Sequence, residues 1–160
     1  MTEQLTLMPT SIVKKAARIS DNQMIHFRQV AESDENMAAV LPAKPETSGK
    51  PRLFDQLQAA LVCIMADFIA VDVKAPLAAK IARRIMDAHR DDPIVDQWSI
   101  LLTDNGNVST LPYSQSDLRT GYISGSRLRF AVVVDLRTYR ERIGEAIADA
   151  PRVIGDDDAA

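Results

Sequence analysis

The sequence predicts an α+β protein: a helical N-terminal half, then a three-stranded antiparallel sheet, then a C-terminal helix. Three observations carry this. Apolar residues recur at three- and four-residue spacing from Ile12 to Met86, the period of an amphipathic helix. An Asn105-Gly106 step separates two extended-type runs, the strongest short-range hairpin signal. A last apolar run, Leu128 to Val134, stops at Asp135, a residue suited to cap a following helix. The 160 residues match one domain or two small lobes. With 46% apolar, 26% charged and only 5% aromatic residues, the composition is that of a globular chain whose interior is filled by aliphatic side chains and methionine.

Taken in order, residues 1–9 show no sustained period and read as an irregular lead-in ending at Pro9. Thr10 or Ser11 can cap a short helix whose stripe is Ile12, Val13, Ala16, Ala17 and Ile19. Ser20, followed three residues later by Gln23, matches a capping box for a second helix, with Met24, Phe27, Val30 and Ala31 turned inward. From Glu32 to Pro51 the chain is polar and interrupted by Pro42, Pro45 and Gly49, which predicts a loop or flexible arm; Met37 to Leu41 could hold one helical turn. Asp55 and Gln58 repeat the cap spacing ahead of the clearest stripe, Leu57, Leu61, Ile64 and Phe68. Pro76 suits the start of the next helix, whose inner face is Leu77, Ala78, Ile81, Ala82, Ile85 and Met86, ending near Asp91.

The period then changes to that of a strand. Gln97 to Thr103 and Asn107 to Leu111 form the predicted hairpin, with Asn105-Gly106 in a type I′ turn. Tyr113 to Arg127, rich in serine and glycine, reads as a poorly ordered loop. Leu128 to Val134 is the third strand, and Ala131 to Val134 are continuous enough to require cover on both faces. Asp135 caps the last helix, with Leu136, Tyr139, Ile143, Ala146 and Ile147 on one stripe.

Several functions are poorly served by these residues. Cys63 is the only cysteine, which forbids an intrachain disulfide, and His26 and His89 lie far apart, so no metal site is expected. Leu57 to Val73 is broken by Gln58, Asp67 and Asp72, and no basic segment leads into an apolar one at the N-terminus; a soluble, cytoplasmic protein is expected. No histidine accompanies the serines between Ser109 and Ser126, and Gly121 to Gly125 lacks a P-loop lysine. No catalytic residue and no cofactor are therefore expected. Asp91, Asp92 and Asp96 read as a solvated turn, and Trp98 as a core anchor. The net charge of −3 is concentrated at the C-terminal end: residues 1–54 carry seven Lys/Arg against six Asp/Glu, while Asp156 to Asp158 sit in an acidic tail, residues 151–160. A local basic face, which nucleic-acid binding needs, is compatible with that balance.

The stretch from Ser11 to Phe27, SIVKKAARISDNQMIHF, resembles the helix-turn-helix of MerR-type transcription regulators, with Ser20 opening the second helix and Met24, His26 and Phe27 in its apolar and aromatic positions. The segment Gly49-Lys-Pro-Arg52-Leu-Phe54-Asp-Gln-Leu57 is similar to the wing of that family, and the next two helices resemble its third and fourth. The likeness spans about residues 10–90. The chain departs from the pattern at Arg18, where the family has a turn glycine, in the length of the Glu32 to Ser48 connection, and in lacking a long dimerising helix after Arg90.

The resemblance implies a winged helix-turn-helix DNA-binding lobe at residues 10–92, and the remaining hairpin, strand and helix, residues 93–150, are expected to serve as a dimerisation module. The second helix would enter the major groove, with Asn22, Gln23, His26 and Arg28 reading base edges and Ser20 on a phosphate. Lys14, Lys15, Lys50 and Arg52 would hold other phosphates. The expected function is a sequence-specific transcriptional regulator acting on double-stranded DNA as a homodimer, without a membrane or an enzymatic role. The alternatives are a protein-interaction or antitoxin-like adaptor, a phage-type structural or packaging adaptor with a degenerate helix-turn-helix and, last, a small enzyme, which would need a polar cleft near Tyr113 to Arg127.

Overall fold

A computed structural model describes residues 7–47 and 49–150; the acidic tail lies outside the described residues, as does most of the N-terminal lead-in. The chain is mixed α+β. Strand β1 (Met8–Pro9) leads directly into α1 (Thr10–Ala17), then α2 (Asp21–Ala31) and α3 (Glu35–Val40). After a connecting segment come β2 (Leu53–Phe54), α4 (Gln56–Ala70) and α5 (Ala75–Asp91). The C-terminal part holds β3 (Gln97–Thr103), β4 (Val108–Pro112), β5 (Tyr122–Ile123), β6 (Ser126–Asp135) and α6 (Leu136–Ala148).

Local chemistry explains most helix ends. Both capping boxes form: the Ser20 hydroxyl accepts from the Gln23 N–H at 3.2 Å while the Gln23 side chain accepts from the Ser20 N–H at 2.8 Å, and Asp55 and Gln58 repeat the exchange at 2.7 and 3.0 Å. Asp34 caps α3 and Asp135 caps α6 through backbone N–H groups. α1 differs from the expectation, because Pro9 takes the N-cap position and no side chain caps it. Thr10 is instead the first helical residue. Arg18 ends α1 with φ +58°, a left-handed conformation that a glycine would adopt at less cost, and its N–H closes the turn onto the Lys15 carbonyl.

The lead-in is not wholly irregular. Met8 pairs with Phe54 and Pro9 with Leu53 in a two-residue antiparallel ladder, and Met8 and Phe54 are both buried. The anticipated wing segment thus pairs with the start of the chain rather than with itself. Burial of Met8 and Phe54 is what two residues of ladder could not supply alone.

The sheet has four strands, in the order β4-β3-β6-β5, rather than three. The added strand and its turn lie inside the segment expected to be a poorly ordered loop. Ile123 pairs with Ser126 across Ser124 and Gly125, whose φ values of +48° and +81° are those of a type I′ turn. The other hairpin corrects the expectation in the opposite sense: Gly106 alone has positive φ, +78°, and its N–H donates to the Thr103 carbonyl at 2.9 Å. That is a type I turn closed by a left-handed glycine, which matches a three-residue loop once Thr103 pairs with Asn107. The Asn105 side chain accepts from Thr103 and from the Asn107 N–H, and donates to Ser126 at 3.2 Å, so it ties the two hairpin tips together.

Register places Trp98, Ile100, Leu102, Val132 and Val134 on one face, which packs on the helical core. The requirement for cover on both faces falls on β3, not β6. Trp98 to Leu101 are all buried, whereas Val133 remains 46% exposed. Trp98 is a core residue as expected.

Helix α4 is the axis of the molecule. Ala59 to Ala66 are all buried, so the helix is enclosed all round instead of on one stripe, against α1, α3, α5 and α6. Burial pushes the thiol of Cys63 up to about 11, which keeps it protonated and unreactive. The terminal helix α6 makes its main packing contacts with α1 and α4. Arg142 fixes that joint: it donates to the Ala16 carbonyl at 2.8 and 3.2 Å and to Asp67 at 2.8 Å, and Tyr139 also donates to Asp67 at 2.9 Å. Burial, then the bond to Asp67, raises the Tyr139 hydroxyl above its ordinary value, so it donates at every physiological pH.

Candidate nucleic-acid interface

Helix α2 has one apolar side and one wet side. Met24 and Phe27 point inward, and α2 packs on α3 and, through a smaller contact, on α5. Asn22, Ile25, His26 and Gln29 are exposed at three- and four-residue spacing, so they share the outer face. Ile25 is 48% exposed amid these polar side chains. Asn22 and His26 therefore stand where the sequence placed them, open and free of ion pairs among the described residues. Ser20 and Gln23 are spent on the cap.

Arg28 lies at the C-terminal end of that helix, half-buried. Its guanidinium donates to the Thr10 hydroxyl at 3.1 Å, linking α2 to the first residue of α1. Beside it opens a cleft of about 530 Å³ between the start of α1 and the segment from Lys44 to Arg52. Arg28, Lys44, Lys50 and Arg52 line it, and among the described residues no carboxylate does. Partial burial, then the like charge of Arg52, holds the Arg28 guanidinium below its ordinary value. None of the four cations has a carboxylate partner among the described residues.

Lys14 and Lys15 are placed differently. Lys14 is paired with Asp21 at the start of α2. Lys15 lies 3.9 Å from Asp149, and it lines a small depression with Arg18, Arg142 and Glu145 on the α1–α6 side. The structure thus gathers three of the expected phosphate or base contacts, Arg28, Lys50 and Arg52, and leaves the two lysines of α1 next to carboxylates. Lys44, Thr10 and Ser11 belong to the cleft and were not foreseen as site residues. Three cations within nine residues, Lys44, Lys50 and Arg52, were a visible signal; the fold-back that unites them with Arg28 is not local.

No protein-family profile matches the chain, and no curated protein is significantly similar to it. Among the described residues no group of His, Cys, Asp and Glu is arranged to hold a metal ion, and no helix is long and apolar enough to cross a membrane. What the site can do follows from its charges and shape: the cleft attracts anions, and the α2 face offers amide and imidazole groups able to donate and accept.

Proposed function

We propose that the chain is a sequence-specific DNA-binding transcriptional regulator, a divergent MerR-like winged helix-turn-helix protein working in the cytoplasm as a homodimer. The observation that carries this reading is the junction at Arg28. It joins an exposed polar helix face to a cationic cleft that no carboxylate among the described residues neutralises. Backbone phosphates supply most of the affinity of a DNA-binding protein, and base edges supply its selectivity. Lys50, Arg52 and Arg28 hold phosphates, while Asn22 and His26, with Gln29 beside them, read the major groove and Ile25 meets a thymine methyl. Lys14, Lys15, Ser20 and Gln23 make at most secondary contacts, their groups being already engaged.

The dimer rests on β6. Beyond Arg127 and Ser126, which pair with β5, that edge of β6 has no strand partner among the described residues, and it carries Phe130 to Val133. Self-pairing of this edge about a two-fold axis would close the dimer, as half-site recognition by a helix-turn-helix requires two copies. Sedimentation equilibrium at micromolar concentration should give a dimer, and a monomer there rejects this part of the reading.

The second reading is a protein partner docked on the same outer face of α2. The two separate cleanly in a fluorescence-anisotropy titration against a labelled pool of genomic fragments. A DNA reader binds tightly with steep salt dependence; an adaptor shows little binding even at low salt.

A further inference from the structure

The cleft between α1 and the Lys44–Arg52 segment has features that a merely solvated basic face lacks. Its four cations converge from three parts of the chain: Arg28 from α2, Lys44 from the far side of the connecting segment, Lys50 and Arg52 from its return. Glu46 lies on the same segment yet outside the lining. Like charges gathered along one open cleft repel until an anion enters, and Arg28 and Arg52 already oppose each other. The Thr10 and Ser11 hydroxyls complete the wall, and the Arg28–Thr10 hydrogen bond fixes the guanidinium within it.

We infer that this cleft is a preformed phosphate-binding pocket with Lys44 as one of its ligands. Its chemistry suits a phosphoryl group with at least two negative charges: a guanidinium fork from Arg28 or Arg52, point charges from Lys44 and Lys50, and hydroxyl donors from Thr10 and Ser11. The cleft, about 530 Å³ and open to solvent, has room for two neighbouring phosphoryl groups. The inference deepens the DNA reading, from which it takes consecutive backbone phosphates as the occupant; a free diphosphate has the same chemistry.

The test titrates inorganic pyrophosphate, and separately a labelled pool of genomic DNA fragments, into the full chain. Pyrophosphate binding is followed by NMR. The expected result is saturable, one-to-one movement of the Thr10, Ser11, Lys44 and Gly49 amide signals and of the Arg28 side chain. These changes are lost in Lys44→Ala, at an exposed position, and kept in Lys80→Ala, which removes the same charge from α5. With DNA, Lys44→Ala should weaken binding alike for all fragments and take about 1 off the slope of log K against log salt. Pyrophosphate binding without DNA binding keeps the pocket and assigns it to a free phosphorylated molecule, which ends the DNA reading. DNA binding that Lys44→Ala leaves unchanged, with no pyrophosphate response, overturns the pocket and leaves the DNA reading standing. Thermal melts of both variants, expected to match the native chain, exclude unfolding as the cause.

Discussion

The two basic regions of this molecule differ in whether their charges are answered. Around α6, the cations face carboxylates: Arg142 meets Asp67, Arg140 meets Asp96 and Arg137 meets Asp135. Around the cleft, Arg28, Lys44, Lys50 and Arg52 face one another and solvent. The first arrangement holds helices together and spends its charge doing so. The second keeps its charge available, at some cost to the fold. A count of Lys and Arg along the chain does not separate the two; the position of the nearest carboxylate does.

The largest effect that would break this contrast comes from the paired region. Arg142 is only 14% exposed at its side chain and bridges three helices, so Arg142→Ala should cost about 2–3 kcal/mol, discounted because Asp67 is 45% exposed. For a chain of this size that lowers Tm by about 4–10 °C, to be read by calorimetry, with DNA affinity per folded molecule unchanged. Loss of affinity without loss of stability would place Arg142 in the wrong class.

Next comes Arg52→Ala in the cleft, where the signs reverse. Stability should hold or rise slightly as the repulsion on Arg28 is relieved, while DNA affinity falls about tenfold at moderate salt and the salt slope flattens by about 1. Asn22→Ala should cost about 1–3 kcal/mol on the preferred sequence and little on random duplex, which competition between the two sequences resolves.

Smaller still is a pH effect at Asp135. Its carboxyl is held well below the usual range, chiefly by the hydrogen bond from Arg137, which is partly opposed by burial and reinforced by Gln97. A depressed folded-state value stabilises the fold above the unfolded carboxyl's value near 4, and that contribution is lost as the pH falls below it. With Arg137 largely exposed, the difference in acid denaturation between native and Asp135→Asn chains should stay under about 1 kcal/mol, after allowance for the retained cap. The smallest effect is at Lys15. At 3.9 Å between exposed groups, its contact with Asp149 is worth less than about 0.5 kcal/mol, so Lys15→Ala should leave the melting curve in place.

How much of this was legible in advance depends on the range of each interaction. Ser20 with Gln23 and Asp55 with Gln58 are local, three residues apart, and the helices they open stand where the pattern put them. The strand of Leu128 to Val134 and the cap at Asp135 were legible for the same reason. Turn chemistry was less so. Asn105-Gly106 has the composition of a type I′ turn, yet pairing of Thr103 with Asn107 demands one more loop residue, and Ser124-Gly125 takes the I′ geometry instead. The Met8–Phe54 pair joins residues across a long sequence separation and is too short for any period to reveal. Among the candidate site residues, the exposure of Asn22 and His26 follows from helix phase, while Lys50 and Arg52 were pointed to by residue type and the wing resemblance. Lys44 could not be foreseen, because Pro42 and Pro45 mark only that the chain turns there, not which way.

On the proposed reading, the unpaired cations and the outer face of α2 act together on DNA. The most direct test of that reading is anisotropy of labelled genomic fragments across salt concentrations, with native, Arg52→Ala and Asn22→Ala chains side by side. The predicted result is tight binding whose log–log salt slope is about −3 to −4, flattened in Arg52→Ala and made less selective in Asn22→Ala. Absence of binding at low salt, or binding that both substitutions leave untouched, would contradict it.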